Sequence, residues 1–109
     1  MKDPLFKIVV YVPVSHAETM RATLAKAGAG HIGNYDYCSF SVKGIGRFRG
    51  LEGTHPFIGT PGKIEAVEEE RIETVCRKKD LKKILSAVKK VHPYEEPAID
   101  VFALCDPRV

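Results

Sequence analysis

The sequence predicts an α+β sandwich of the ferredoxin-like kind, in the order βαββαβ. Three observations predict it. Residues 6–12 form an apolar, β-branched run closed by Pro13. Two amphipathic segments of helical period fall in separate halves of the chain. Each helical segment is followed by strand-like sequence, which gives the split-βαβ order with two helices on one face of a four-stranded antiparallel sheet. The other face stays open unless another subunit covers it.

Each element has its own signal. After Pro13, Ser15-His16-Ala17-Glu18 carries the Ser-x-x-Glu spacing of a capping box. Ala17, Met20, Leu24 and Ala27 then recur at helical spacing, and Gly28 supplies a left-handed stop. Residues 35–43 alternate and predict the second strand. Residues 44–62 hold six of the nine glycines together with Pro56 and Pro61, and read as a long loop. Residues 63–77 read as a long strand. Asp80 is a good N-cap for a second helix, in which Leu81, Ile84, Leu85, Val88 and Val91 form an apolar stripe. Pro93 disfavours helical geometry at His92 and ends it there, and Ala98 to Leu104 make the closing strand.

Length and composition narrow the function. The 109 residues suffice for one domain over residues 1–109, with 44% hydrophobic and 28% charged residues. No segment has the roughly 18 apolar residues of a membrane span or the form of a signal peptide, so a cytoplasmic protein with no membrane partner is expected. Cys38, Cys76 and Cys105 are odd in number and lack Cys-x-x-Cys spacing, which favours free thiols over a disulfide framework or structural zinc. The net charge is +3, with glutamates crowded at 65–73 and lysines at 78–90. No aromatic residues interleave with those lysines, so no nucleic-acid partner is expected.

Chemistry-bearing residues concentrate in His92-Pro93-Tyr94-Glu95-Glu96-Pro97. His92 with Glu95 or Glu96 is a plausible ligand pair for zinc or copper, but a site needs a further ligand from elsewhere, such as His31 or His55. The opposing reading is structural: His92 ends a helix, where the dipole favours an imidazolium, and the prolines aim the last strand. The glycines of Gly28-Ala29-Gly30-His31-Ile32-Gly33 follow a helix, so they do not form a dinucleotide fingerprint. The glycine loop with Arg47, Arg49 and Lys63 offers amides and cations to an anion, or orders against a neighbouring subunit. No Ser-His-Asp set exists, and no cysteine has a histidine near it in sequence, so an enzyme is not expected.

Several separated motifs carry a resemblance. Gly-Ala-Gly-His-Ile-Gly-Asn-Tyr (28–35), Cys-Ser-Phe-Ser (38–41), Gly-x-Phe-Arg (46–49), Leu-Glu-Gly (51–53), Pro-Phe-Ile-Gly (56–59) and His-Pro-Tyr-Glu-Glu-Pro-Ala (92–98) occur in that order. Together they resemble the PII- or CutA-like domain inserted in YqfO-type dinuclear metal-centre proteins of the NGG-interacting-factor-three family. The resemblance runs from about Leu5 to Leu104. It implies a stand-alone PII/CutA-like module, homotrimeric, with a partner- or ligand-contacting loop at 44–62. The family's dinuclear metal ligands belong to the flanking halves, so that chemistry does not carry over. The copper role proposed for CutA proteins keeps a metal site in view. The expectation is therefore a non-enzymatic binding or regulatory module of unknown cofactor, with His31, Asn34, Tyr35, Arg47, His55, His92, Tyr94 and Glu95 as ligand-binding candidates. The alternative is a copper or zinc protein using His31, His92 and Glu96.

Overall fold

A computed structural model describes residues 4–105. The elements are β1 (Leu5–Pro13), a 3-10 turn (Val14–His16), α1 (Ala17–Lys26), β2 (Phe40–Arg49), β3 (Ile64–Arg77), α2 (Lys78–Val91) and β4 (Ile99–Leu104). The strands form one sheet in the order β2-β3-β1-β4, with every neighbouring pair antiparallel. This is the expected α+β ferredoxin-like arrangement.

Alternation along the central strands decides which face the helices cover. Ile8, Val10 and Val12 of β1 and Ile72 and Cys76 of β3 point to one side. There they meet Met20 and Leu24 of α1 and Ile84 and Val88 of α2. Burying each such large aliphatic side chain stabilises the fold by roughly 1.5–3 kcal/mol relative to exposure. Arg21 pins α1 to the sheet, donating from Nη1 to Glu70 Oε1 at 2.5 Å and to Ser41 Oγ at 3.0 Å. On the opposite face lie Lys7, Tyr11, Phe40, Val42, Arg71, Glu73 and Phe102. Phe40 and Phe102 are more than half exposed there, and no helix of the described residues covers them.

The sheet is asymmetric in length. β1 ends at Pro13, opposite Glu69, while β3 and β2 remain paired through residues 64–68. This two-stranded arm gives the chain an elongated outline of 49 × 23 × 22 Å.

Three local expectations are corrected. The capping box does not form: residues 14–16 wind into a 3-10 turn, α1 starts at Ala17, and Ser15 Oγ bonds His16 Nδ1 at 2.8 Å. Asp80 is not an N-cap, because α2 follows directly from β3 with Arg77 at the cap position. Asp80 lies in the first turn, where a carboxylate still favours the positive helix end. The second strand is displaced along the chain. An Ile32–Tyr35 bridge closes a turn at residues 33–34, residues 36–39 are irregular with Tyr37 at φ 58°, and β2 begins only at Phe40 and runs to Arg49. Thus Gly44 and Gly46 are strand residues, and the loop proper spans 50–63.

Candidate functional site

α2 ends as Pro93 requires, with His92 in an extended conformation at φ −68°, ψ 131°. The chain then folds over the end of β1. His92 Nε2 lies 2.7 Å from the Tyr11 carbonyl, and the Tyr94 N–H donates to His92 Nδ1 at 3.1 Å. A carbonyl can only accept and an amide can only donate, so the ring is neutral with its proton on Nε2. Burial lowers the His92 pKa below its ordinary value, against the opposing pull of the Tyr11 carbonyl and Glu69. The imidazolium expected from the helix dipole is not what this environment favours, because burial penalises the charged form and Nδ1 already accepts from the Tyr94 N–H.

The buried His92 sets the position of Tyr94. Their ring centroids are 5.0 Å apart, and the Tyr94 hydroxyl donates to Glu69 Oε2 at 2.7 Å. Burial, and then this hydrogen bond, push the Tyr94 phenol well above its usual range. Glu69 is itself only 9% exposed. Its carboxylate rests on Gly46 of β2, where any Cβ would collide with it. The glycine that resembles a strand breaker is therefore a site of close approach.

The 50–63 loop closes the site from above. Its neck is held by the Gly62 N–H donating to the Gly50 carbonyl at 2.8 Å, and the Thr54 N–H and hydroxyl both donate to the Leu51 carbonyl. The His55 N–H donates to Glu95 Oε1 at 3.1 Å, tying the loop to the His-Pro-Tyr segment. Phe57 packs 6.5 Å from Tyr94 and 5.5 Å from His16, while Phe48 lies 6.0 Å from Tyr94. Between these groups is a cavity of about 490 Å³, a size suited to a small molecule.

The sequence-nominated residues divide into two groups. Arg47, Tyr94, Glu95 and Glu96 line the cavity, His55 stands beside Glu95, and His92 is buried behind Tyr94. His31, Asn34 and Tyr35 are elsewhere, exposed on the turn that follows α1. Gly30 of that turn bonds to Val75, which pairs with Lys7, whereas His92 bonds to Tyr11. Four residues of strand separate those levels, about 13 Å. The proposed metal set is not assembled within one protomer. His31, His92 and Glu96 do not meet within one chain, both nitrogens of His92 are engaged, and no group of three or more metal-ligating side chains occurs among the described residues. Sequence reading missed Tyr11, Gly46, Phe48, Phe57 and Glu69. Gly46 carried a usable signal as a glycine within a strand; Glu69 lies in a run of glutamates and carried none.

These features define a PII/CutA-like α+β module with a cavity where the β2–β3 arm leaves the sheet. Solved structures bear out the class: the periplasmic divalent cation tolerance protein CutA of Archaeoglobus fulgidus superposes with a TM-score of 0.65 at 21% identity, covering 96% of this chain and 86% of that one. More specifically, the chain resembles a segment of the NIF3-related proteins. A Bacillus cereus protein related to NIF3 aligns with a TM-score of 0.83 and 46% identity over 95% of this chain and 26% of that one. The GTP cyclohydrolase 1 type 2 homologs of Halalkalibacterium halodurans and Bacillus subtilis are 50% and 52% identical over 95% and 92% of this chain. The chain spans only 28% and 27% of those relatives. No protein-family model matches the chain.

Proposed function

We propose that the chain is a non-enzymatic binding module that takes a small ligand in the arm-base cavity and assembles with copies of itself. One observation carries the ligand reading: the 50–57 and 92–96 segments, 40 residues apart, are tied together at His55–Glu95 around a cavity walled by Phe48, Phe57 and Tyr94. Binding sites are typically concave and apolar with a few placed polar groups, and this cavity has that composition. The assembly reading rests on the uncovered sheet face, where exposed Phe40, Val42 and Phe102 surround the Lys7–Glu73 and Arg71–Glu73 pairs. An isologous or cyclic contact would bury that apolar area, and the PII/CutA resemblance makes a homotrimer the arrangement to test. The free cysteines suit a reducing, cytoplasmic setting.

Protein-observed 1H–15N NMR with a small-fragment library is the direct test of the cavity. Hits that shift the amides of Phe48, Phe57 and Tyr94 support it, and a library without any such hit overturns it. Sedimentation equilibrium at micromolar concentration tests assembly, and a monomer there removes it.

A further inference from the structure

Glu69 is unusual among the carboxylates of the described residues. It is more than nine-tenths buried, it lines the cavity, and its hydrogen bond is to a neutral phenol rather than to a cation. Glu70, its neighbour, is buried to a similar degree but is held by Arg21. No ion pair compensates Glu69 among the described residues. Arg47 and Arg49 do not supply one: both contribute to the cavity lining, but strand alternation sends their side chains to the face opposite Gly46 and Phe48, where they are exposed and make no ion pair with Glu69.

A buried carboxylate without a counter-charge is costly, and such a group facing a cleft marks a functional position. Its surroundings indicate what it would receive. The faces of Phe48, Phe57 and Tyr94 are electron-rich, and aromatic faces attract organic cations. Glu69 Oε2 accepts from the Tyr94 hydroxyl and Oε1 rests against Gly46, so the carboxylate is held in one place on the cavity wall by a phenol and a glycine.

We infer that the cavity ligand is a small organic cation, an ammonium or amidinium group on an apolar body, with Glu69 as its counter-ion and the three rings as its walls. This rests on the cavity being a ligand site, and adds the charge of the ligand.

Calorimetric titration of the full chain with benzylamine, benzyl alcohol and benzoate separates the two. Saturable benzylamine binding, with benzyl alcohol at least about tenfold weaker and benzoate weaker still, is the expected result. Amide shifts on benzylamine addition should centre on Phe48, Phe57, Glu69 and Tyr94. In Glu69→Gln, which keeps an oxygen for Tyr94, the preference of amine over alcohol should disappear. Equal affinity of the wild-type chain for amine and alcohol at those residues would overturn the cation inference and leave the cavity as a ligand site. Benzylamine preference that survives in a folded Glu69→Gln also overturns it. Absence of binding by all three probes, including a cavity filled by a neighbouring subunit, counts against both. The wild-type ratio decides the matter even where the variant fails to fold.

Discussion

The two ends of the sheet carry equally dense sequence motifs but are built by different means. At one end, the Gly-rich turn after α1 is held by the backbone: the Gly30 N–H donates to the Val75 carbonyl at 2.7 Å, and the Cys38 N–H donates to the Gly30 carbonyl at 3.0 Å. Gly30 sits at φ +86°, and a Cβ there would lie 2.7–2.8 Å from the Cys38 backbone. Its named side chains, His31, Asn34 and Tyr35, face water. At the other end, side chains define the cavity: the Tyr94 hydroxyl donates to Glu69, the His92 and Phe57 rings lie against Tyr94, and the Glu95 carboxylate accepts from the His55 N–H. A motif that fixes backbone shape and a motif that assembles chemistry look alike in sequence, and only the contacts separate them.

The largest test of this contrast is Gly30→Ala. With both a positive φ and a backbone collision, it should cost about 3 kcal/mol, read as a lower midpoint in urea denaturation. A loss under about 0.5 kcal/mol would show that the turn is not backbone-fixed.

Next is His92→Ala, which removes the donor to the Tyr11 carbonyl and the acceptor of the Tyr94 N–H. A loss of about 2 kcal/mol is expected. The pH dependence has a definite sign. The folded pKa of His92 lies below its unfolded value, so its contribution is complete above about pH 6.5 and is lost as pH falls through the depressed folded value. Stability of the wild type should therefore drop on acidification below pH 6.5, and His92→Ala should flatten that part of the profile. Parallel profiles for the two proteins would remove His92 as the cause.

Tyr94→Phe keeps the ring and removes the hydroxyl that Glu69 accepts. It should cost about 1 kcal/mol, measured by thermal unfolding monitored by circular dichroism. An unchanged midpoint would show that water replaces the phenol without loss.

Much of the fold was legible because it follows from periodicity. The β-branched run before Pro13, the α2 stripe and the Pro93 stop placed β1, α2 and the entry to β4 nearly where they lie. The second strand was misplaced because Gly44 and Gly46 imitate a loop, while Tyr35, Tyr37 and Ser39 imitate alternation in a segment that turns. Half of the cavity was legible in the His-Pro-Tyr motif, whose chemistry is contiguous in the chain. The other half depends on register: Glu69 is distinguished from Glu68 and Glu70 only by which face of β3 it occupies and by the end of β1 opposite it. That information is tertiary.

His31→Ala is expected to have the smallest effect, and it separates the two ends most cleanly. The side chain is exposed and enters none of the hydrogen bonds that hold the turn, which run through the backbone of Gly30, Ile32, Tyr35 and Cys38. Surface substitutions of this kind change stability by no more than about 0.5 kcal/mol. It is also remote from the cavity, so benzylamine affinity should not move. A loss of ligand affinity with stability unchanged would mean that His31 reaches a site on a neighbouring subunit. The two ends, separate within one chain, would then be joined by assembly, and the division between a backbone-built end and a side-chain-built end would hold only for the isolated protomer.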